Sequence, residues 1–447
     1  MKAFLVFILV IVTSFNLNAQ IITTFAGKPG LRDYWGDGGP ATDAKCLLPF
    51  GIVVDTKGNV FIDDSLGSKI RIINTYGIIN TIAGCSSMSS SGDGGPASSA
   101  CLNGVIHLAI DKIGNLYLSE SARIRKIDTT GMITTIAGDG GPGYTGDNGP
   151  ATLASIGGNE GITIYRFGNL YIADSSFNVI RKVDTIGFIS TIAGTGASSY
   201  SGDGGLATNA GLGYISSLST DILGNLYVGC GPFNIIRIIR PSGYIYRFAG
   251  CDTALGAFSG DGGLATDARL NNVQGIAVDR VGNLFFCDRQ NQRIRKIDTT
   301  GRISTYAGSG STLGGYGGDG GPAYRARLNA PVGITIDDSD NIYFADNNNS
   351  CIRKISKNGH WVGAPITSKP HSAIFPNPLI DCDYLNINNV VDDSAYRIVS
   401  LTGELLLSGQ LINGNNQIII KSFNSGIYIL EIERGDGQMV RKMISKL

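Results

Sequence analysis

Short apolar runs rich in β-branched residues alternate with turns of Gly, Asn and Asp through most of this chain. Residues 49–84, PFGIVVDTKGNVFIDDSLGSKIRIINTYGIINTIAG, show the unit: GIVVD, VFIDD, KIRIIN and IINTIAG, separated by TKGN, SLGS and TYG. Apolar stretches of this length bounded by such turns read as antiparallel strands joined by hairpins. The unit recurs six times, marked by Asp37, Asp93, Asp147, Asp203, Asp261 and Asp319, which lie 54 to 58 residues apart. Four antiparallel strands repeated six times predict a six-bladed β-propeller over residues 20–360. The sixth unit stops after GITIDDSDNIYFADNNNSCIRKISKNG without its fourth strand, while IITTFAG at 21–27 stands alone at the other end. Strand 21–27 is therefore expected to complete the last blade and close the ring, which removes an exposed sheet edge.

Beyond residue 372 the period ends. Residues 373–447 alternate apolar and polar positions between Gly/Asn turns, which predicts a small antiparallel β-sandwich; residues 361–372, with Pro365 and Pro370, read as a linker. At the opposite end Lys2, the apolar run Phe4–Val12 and Ala19 form a signal-peptide pattern over residues 1–19, too short to span a membrane, which takes about 20 residues. The fold class is thus all-β, a propeller followed by a sandwich.

Units of the form GDGGPAT.A.L..P.GI.VD..GN.YIAD..N..IRKID..G.I.T.AG resemble NHL repeats, and the resemblance covers residues 21–358. It implies a six-bladed propeller from a group made mostly of ligand- or partner-binding modules, with a minority of lyases. The tail order PNP … Y.I…TGE … G.Y.L.I … K.I is similar to the C-terminal sorting domain of the type IX secretion system. That likeness implies a Gram-negative bacterial protein taken across the outer membrane by the type IX machinery through residues 373–447, then released or held at the surface.

Charge adds an exclusion. With 36 basic and 36 acidic residues among 447, the chain has no net charge and no electrostatic reason to seek nucleic acid. No other stretch is apolar enough for a transmembrane segment, and a monomer is expected. Of eight Cys, Cys85 and Cys101 bracket one loop and are the disulfide pair to test, against a reading as buried thiols.

The repeated residues read as structural. Each motif Asp is expected to cap its own glycine-rich turn by accepting backbone N–H groups. One carboxylate among glycines falls short of the 6–8 oxygens that calcium takes, so calcium is only the alternative, and no metal or other cofactor is expected. Arg71, Arg125, Arg181, Arg237, Arg295 and Arg353 recur in all six units. They are expected to pair with Asp64, Glu120, Asp174, Asp288 and Asp346 and so tie strands together.

Function is sought where the six-fold pattern breaks. An aromatic precedes the motif Asp in five units (Tyr34, Tyr144, Tyr200, Phe258, Tyr316), joined by Trp35, while the second unit has Ser90. These rings are candidate ligand-binding residues for a glycan or peptide, or simply covers for their own turns. The inner-strand starts carry three polar departures at the channel mouth, His107, Glu160 and Gln274. No nucleophile, phosphate-loop or zincin motif occurs, and no catalytic residue is assigned. The reading is an exported module binding an extracellular glycan or protein. The alternatives are a hydrolase or lyase with a metal in the channel, and a purely structural surface protein.

Overall fold

The computed structural model describes residues 20–357 apart from 65–67, 86, 88, 166, 252–255 and 312, and, from residue 373 on, the tail strands with parts of their connections. The signal-peptide and linker readings fall on residues 1–19 and 361–372, outside the described residues. Two compact units divide near residue 362.

In the first unit six antiparallel sheets repeat one plan. Blade one consists of Ile52–Val54, Val60–Asp64, Lys69–Ile73 and Ile79–Ala83, from the innermost strand outward. The innermost strands of blades two to six are His107–Ile110, Asn159–Ile164, Ser217–Thr220, Val273–Val278 and Pro331–Ile336. Each innermost strand contacts the next, and blade six contacts blade one, so the ring is closed. The sixth sheet has the order Pro331–Ile336, Ile342–Asp346, Cys351–Ser356, and then the N-terminal strand Ile21–Ala26, which pairs Ile21 with Ser356 and Thr24 with Arg353. Ile22 and Ala26 of that strand are fully buried.

The seams between blades hold the core. At the seam of blades six and one, Ala26, Ala41, Ala44, Ile52, Ile62, Ile73, Val332 and Ile352 pack together. The connection that enters each blade first crosses that blade's outer edge: Pro40 bridges Ile78, Pro96 bridges Met132 and Leu264 bridges Arg302. It thereby covers the edge strand and, in blades two to six, then turns through a short 3-10 helix whose buried Ala packs into the seam. Close approach of the inner strands requires glycine. A Cβ on Gly333 would lie 1.9 Å from the Phe50 carbonyl, and one on Gly275 2.3 Å from that of Val332.

The second unit has a three-stranded sheet (Ala373–Phe375, Tyr384–Val390, Gly414–Ile419) and a four-stranded one. The latter runs Leu405–Leu411, Ser394–Ser400, Gly426–Glu433, Met439–Lys446. Ile418 from the first packs with Ile398, Leu411, Leu430 and Ile432 from the second, as in a sandwich.

Candidate functional site

The motif aspartates do not cap their turns: in blades two to six the 3-10 helices that follow have Pro or Leu at the N-cap and no side-chain cap bond, and Asp37 in blade one pairs with Arg71. The carboxylates face the recurring arginines instead. Arg71, Arg125, Arg181, Arg237 and Arg295 place Nη2 2.6–2.8 Å from Oδ1 of Asp37, Asp93, Asp147, Asp203 and Asp261, and Arg353 makes the same pair with Asp319. All six guanidinium groups are buried. A charge removed from water needs a partner, and a fork of N–H donors suits a carboxylate better than backbone amides do. The expected second carboxylates are present too, with Asp64, Glu120, Asp174, Asp288 and Asp346 lying 3.2–3.8 Å from the same arginines. Arg237 lacks this second acid because Cys230 occupies the position.

The loop aromatics complete these clusters. Tyr34, Tyr144, Tyr200, Phe258 and Tyr316 each roof an arginine of their own blade, with ring centroids 4.7–4.9 Å from the guanidinium carbon. Tyr34 and Tyr316 also donate their hydroxyls to Asp37 and Asp319 at 2.9 and 2.7 Å, and Tyr200 donates to Asp203. The rings stand one per blade and are each held to their own arginine; they do not gather into one platform. Trp35 is the exception, 63 % exposed.

Of the three channel-mouth candidates, the Glu160 side chain lies outside the described residues. Gln274 is tied by its side-chain amide N–H to Asn272 Oδ1 at 2.8 Å, and its backbone carbonyl accepts the Ser217 hydroxyl at 2.9 Å. His107 lines a channel cavity of about 320 Å³ whose other walls are the inner-strand aliphatics with Ser217, Ser219, Thr163 and Thr335. It is buried, edge-on to Phe50 at 5.3 Å, and its Nε2 has no hydrogen-bond partner among the described residues. Burial depresses its pKa to about 4. Asp63, not singled out in the sequence, stands near it: a Cβ on Gly51 would lie 3.1 Å from Asp63 Oδ2 and 3.2 Å from the His107 Cα. Asp63 Oδ1 accepts the Phe50 N–H at 2.7 Å, Oδ2 is unpartnered, and burial pushes this carboxyl well above its usual range. The five equivalent positions hold Ser119, Ala173, Gly229, Cys287 and Ala345, and that departure was visible in the sequence.

The largest break in symmetry is between blades two and three. The turn between the second and third strands has four residues in every blade but the second, where Ser121 and Ala122 alone join Glu120 to Arg123. The roof ring is missing there as well, since Ser90 takes its place. The two losses open a cleft of about 370 Å³ lined by Ser90, Asn103, Glu120, Ser121, Arg123 and Phe177, among others. Glu120, buried on the floor, accepts from Ser90 Oγ and from Arg125 at 3.3 Å; burial is the largest influence on it and raises its pKa. Arg123 is half-buried, with Nη2 donating to the Asp139 carbonyl at 3.0 Å. Phe177 stacks on Tyr144 with centroids 5.7 Å apart. The disulfide Cys85–Cys101 closes the loop that carries Ser90, and Ser91 N–H bonds the Cys101 carbonyl at 3.2 Å. That bond settles the cysteine question for this pair; Cys46, Cys230, Cys251, Cys287 and Cys351 are free thiols.

A closed ring of six antiparallel blades built on four strands each, every one pinned by an Asp–Arg pair within a GD.G…IR pattern, defines an NHL-repeat propeller. Family models agree: "Teneurin NHL domain" matches residues 12–91, 85–145 and 249–315, "NHL repeat" matches 328–355, and "Secretion system C-terminal sorting domain" matches 373–446. The chain is therefore an NHL-repeat β-propeller protein carrying a C-terminal type IX sorting domain, which directs it to the cell exterior or surface. Among curated relatives it is similar to chicken (Gallus gallus) Teneurin-1, 30 % identical over 289 residues, covering 56 % of this chain and 10 % of that protein. Mouse (Mus musculus) Teneurin-3 is 25 % identical over 445 residues, 91 % of this chain and 16 % of the relative. The match thus spans a small part of the teneurins' own length. Among solved structures, a protein of unknown function from Bacteroides thetaiotaomicron superposes with TM-score 0.57 at 19 % identity over 76 % of each chain. An auxiliary nutrient binding protein from the same organism gives 0.56 at 16 % identity, over 75 % of this chain and 76 % of that one. At such identities the likeness shows the fold.

Proposed function

We propose that this chain is an extracellular binding module that holds a saccharide in the cleft between blades two and three. The observation that carries the reading is the cleft itself. Five blades fill this place with an aromatic and a four-residue turn, and blade two alone leaves a cavity with a largely apolar wall that includes Phe177, set with the polar groups of Ser90, Asn103, Glu120, Ser121 and Arg123. A volume of about 370 Å³ falls within the roughly 300–1,000 Å³ of small-ligand sites. Hydroxyl and amide groups of Ser90, Asn103 and Ser121 suit sugar hydroxyls, and Phe177 offers an aromatic face to sugar C–H groups. Residues 1–19 act as the signal peptide for the inner membrane, and the sorting domain completes export. The test is a saccharide array probed with the purified protein and with Phe177→Ala: selective binding lost in the variant supports the reading, and equal signals from both proteins refute it.

A second reading, hydrolase or lyase chemistry in the channel, is favoured by one observation, the unpartnered His107 beside Asp63. It requires that any turnover found with a saccharide or ester panel disappear in His107→Ala.

A further inference from the structure

We infer that the cleft between blades two and three selects an acidic saccharide, one whose ring bears a carboxylate; this rests on the binding-module reading and names its ligand class. The decisive residue is Arg123. Its counterpart in blade five, Arg293, lies under Phe258, with the guanidinium carbon 3.6 Å from the ring centroid, and donates Nη1 to the Asn291 carbonyl at 2.9 Å. Blade two has Ser90 where blade five has Phe258, so no ring of its own blade roofs Arg123. The guanidinium makes one hydrogen bond, through Nη2 to the Asp139 carbonyl, and no ion pair among the described residues. The nearby acids are otherwise engaged. Asp139 accepts from the Gly141 N–H at 2.8 Å and the Ser155 hydroxyl at 2.9 Å and feels the charge of Arg123 without closing an ion pair with it, and Glu120 is held by Arg125 and Ser90.

The backbone is shaped to keep Arg123 in place. A Cβ on Gly140, which has φ +89°, would lie 2.3 Å from Arg123 Nη2, and Gly310 makes the same close approach to Arg293 in blade five, so the glycine gives the guanidinium room to rest against this loop. On the facing side a Cβ on Gly157 would lie 2.8 Å from the Phe177 ring, so a second glycine lets the aromatic wall settle. A half-buried arginine with unspent N–H donors binds a carboxylate in two-point fashion, which a neutral sugar does not offer. Phe177 across the cleft supplies the stacking face, and the hydroxyl and amide groups between them read the ring substituents. Carboxylate, hydroxyls and an apolar ring face together describe a uronic-acid-type saccharide.

The experiment uses the purified full-length chain, titrated by calorimetry with oligogalacturonate and with the same oligomer after its carboxylates have been reduced to alcohols. The acidic oligomer is expected to bind at least tenfold more tightly. Arg123→Gln should remove that preference by weakening the acidic oligomer at least tenfold more than the neutral one, and Arg123→Lys should restore it in part. Phe177→Ala should weaken both oligomers, with circular dichroism and melting temperature showing each variant folded. Equal affinity for the two oligomers, both lost in Phe177→Ala, would overturn the acidic selectivity and leave the binding-module reading standing. Binding of neither oligomer, or binding indifferent to both substitutions, would overturn the inference; if a broad saccharide array were also blank, the reading beneath it would fall too.

Discussion

Arg237 is the one buried repeat arginine with a single carboxylate partner, and this gives a sharp test of what the motif aspartates do. Asp203→Ala leaves Arg237 with no carboxylate, only the carbonyls of Gly211 and Ser201, each at 2.9 Å, and the Tyr200 ring, because Cys230 replaces the acid that the other blades carry. Removing the sole partner of a buried charge costs about 3–5 kcal/mol. The matched change in blade five, Asp261→Ala, leaves Arg295 with Asp288 at 3.2 Å. That loss should be nearer the roughly 1–3 kcal/mol of a charged hydrogen bond. The difference of about 2 kcal/mol corresponds to roughly half a molar or more in the urea midpoint. Equilibrium unfolding followed by intrinsic fluorescence at pH 7 reads it directly. Cys230→Asp in the Asp203→Ala background should recover part of the loss by restoring the missing acid. Equal losses in the two blades, together with no response to Cys230→Asp, would refute the view that these aspartates act as counter-ions.

Three further outcomes are expected. Deleting Ile21–Ala26 opens the ring and strips a strand with two buried apolar residues, so the melting temperature should fall by roughly 10 °C or more; an unchanged value would contradict closure. The Cys85→Ser/Cys101→Ser double variant releases a loop with a sequence separation of 16, worth about 3 kcal/mol, and should weaken saccharide binding because Ser90 lies on that loop. His107 has a folded pKa of about 4 against an ordinary value near 6.5, so the unfolded chain binds the proton first. Stability tied to His107 is complete above about pH 6.5 and lost as pH falls toward 4, and in His107→Gln the acid limb of the stability–pH curve should flatten over that window.

Much of the architecture was legible in the residues. The hairpin period and the displaced strand IITTFAG carry the closed ring, because a strand lacking a partner at one end and a blade lacking a strand at the other have one economical solution. The chemistry of the repeat was less legible. GDGG has every mark of a self-capped turn, yet Asp37 and its counterparts answer to Arg71 and its counterparts, 32 to 34 residues downstream. Local turn preference was overridden by the need of a buried guanidinium, which no short window displays. The aromatics read as ligand-binding rings or as covers for their own turns, and their cation–π role depends on the same distant arginine. The cleft left two small traces in the sequence, Ser90 in place of a ring and a turn shortened to SerAla. Each looks like ordinary loop variation until the fold sets them side by side.

The most direct test of the account is a crystal structure of the protein grown with an acidic oligosaccharide. The account predicts ligand density between Arg123 and Phe177, over Ser90. Density confined to the central channel against His107 would contradict it and make the channel the working site.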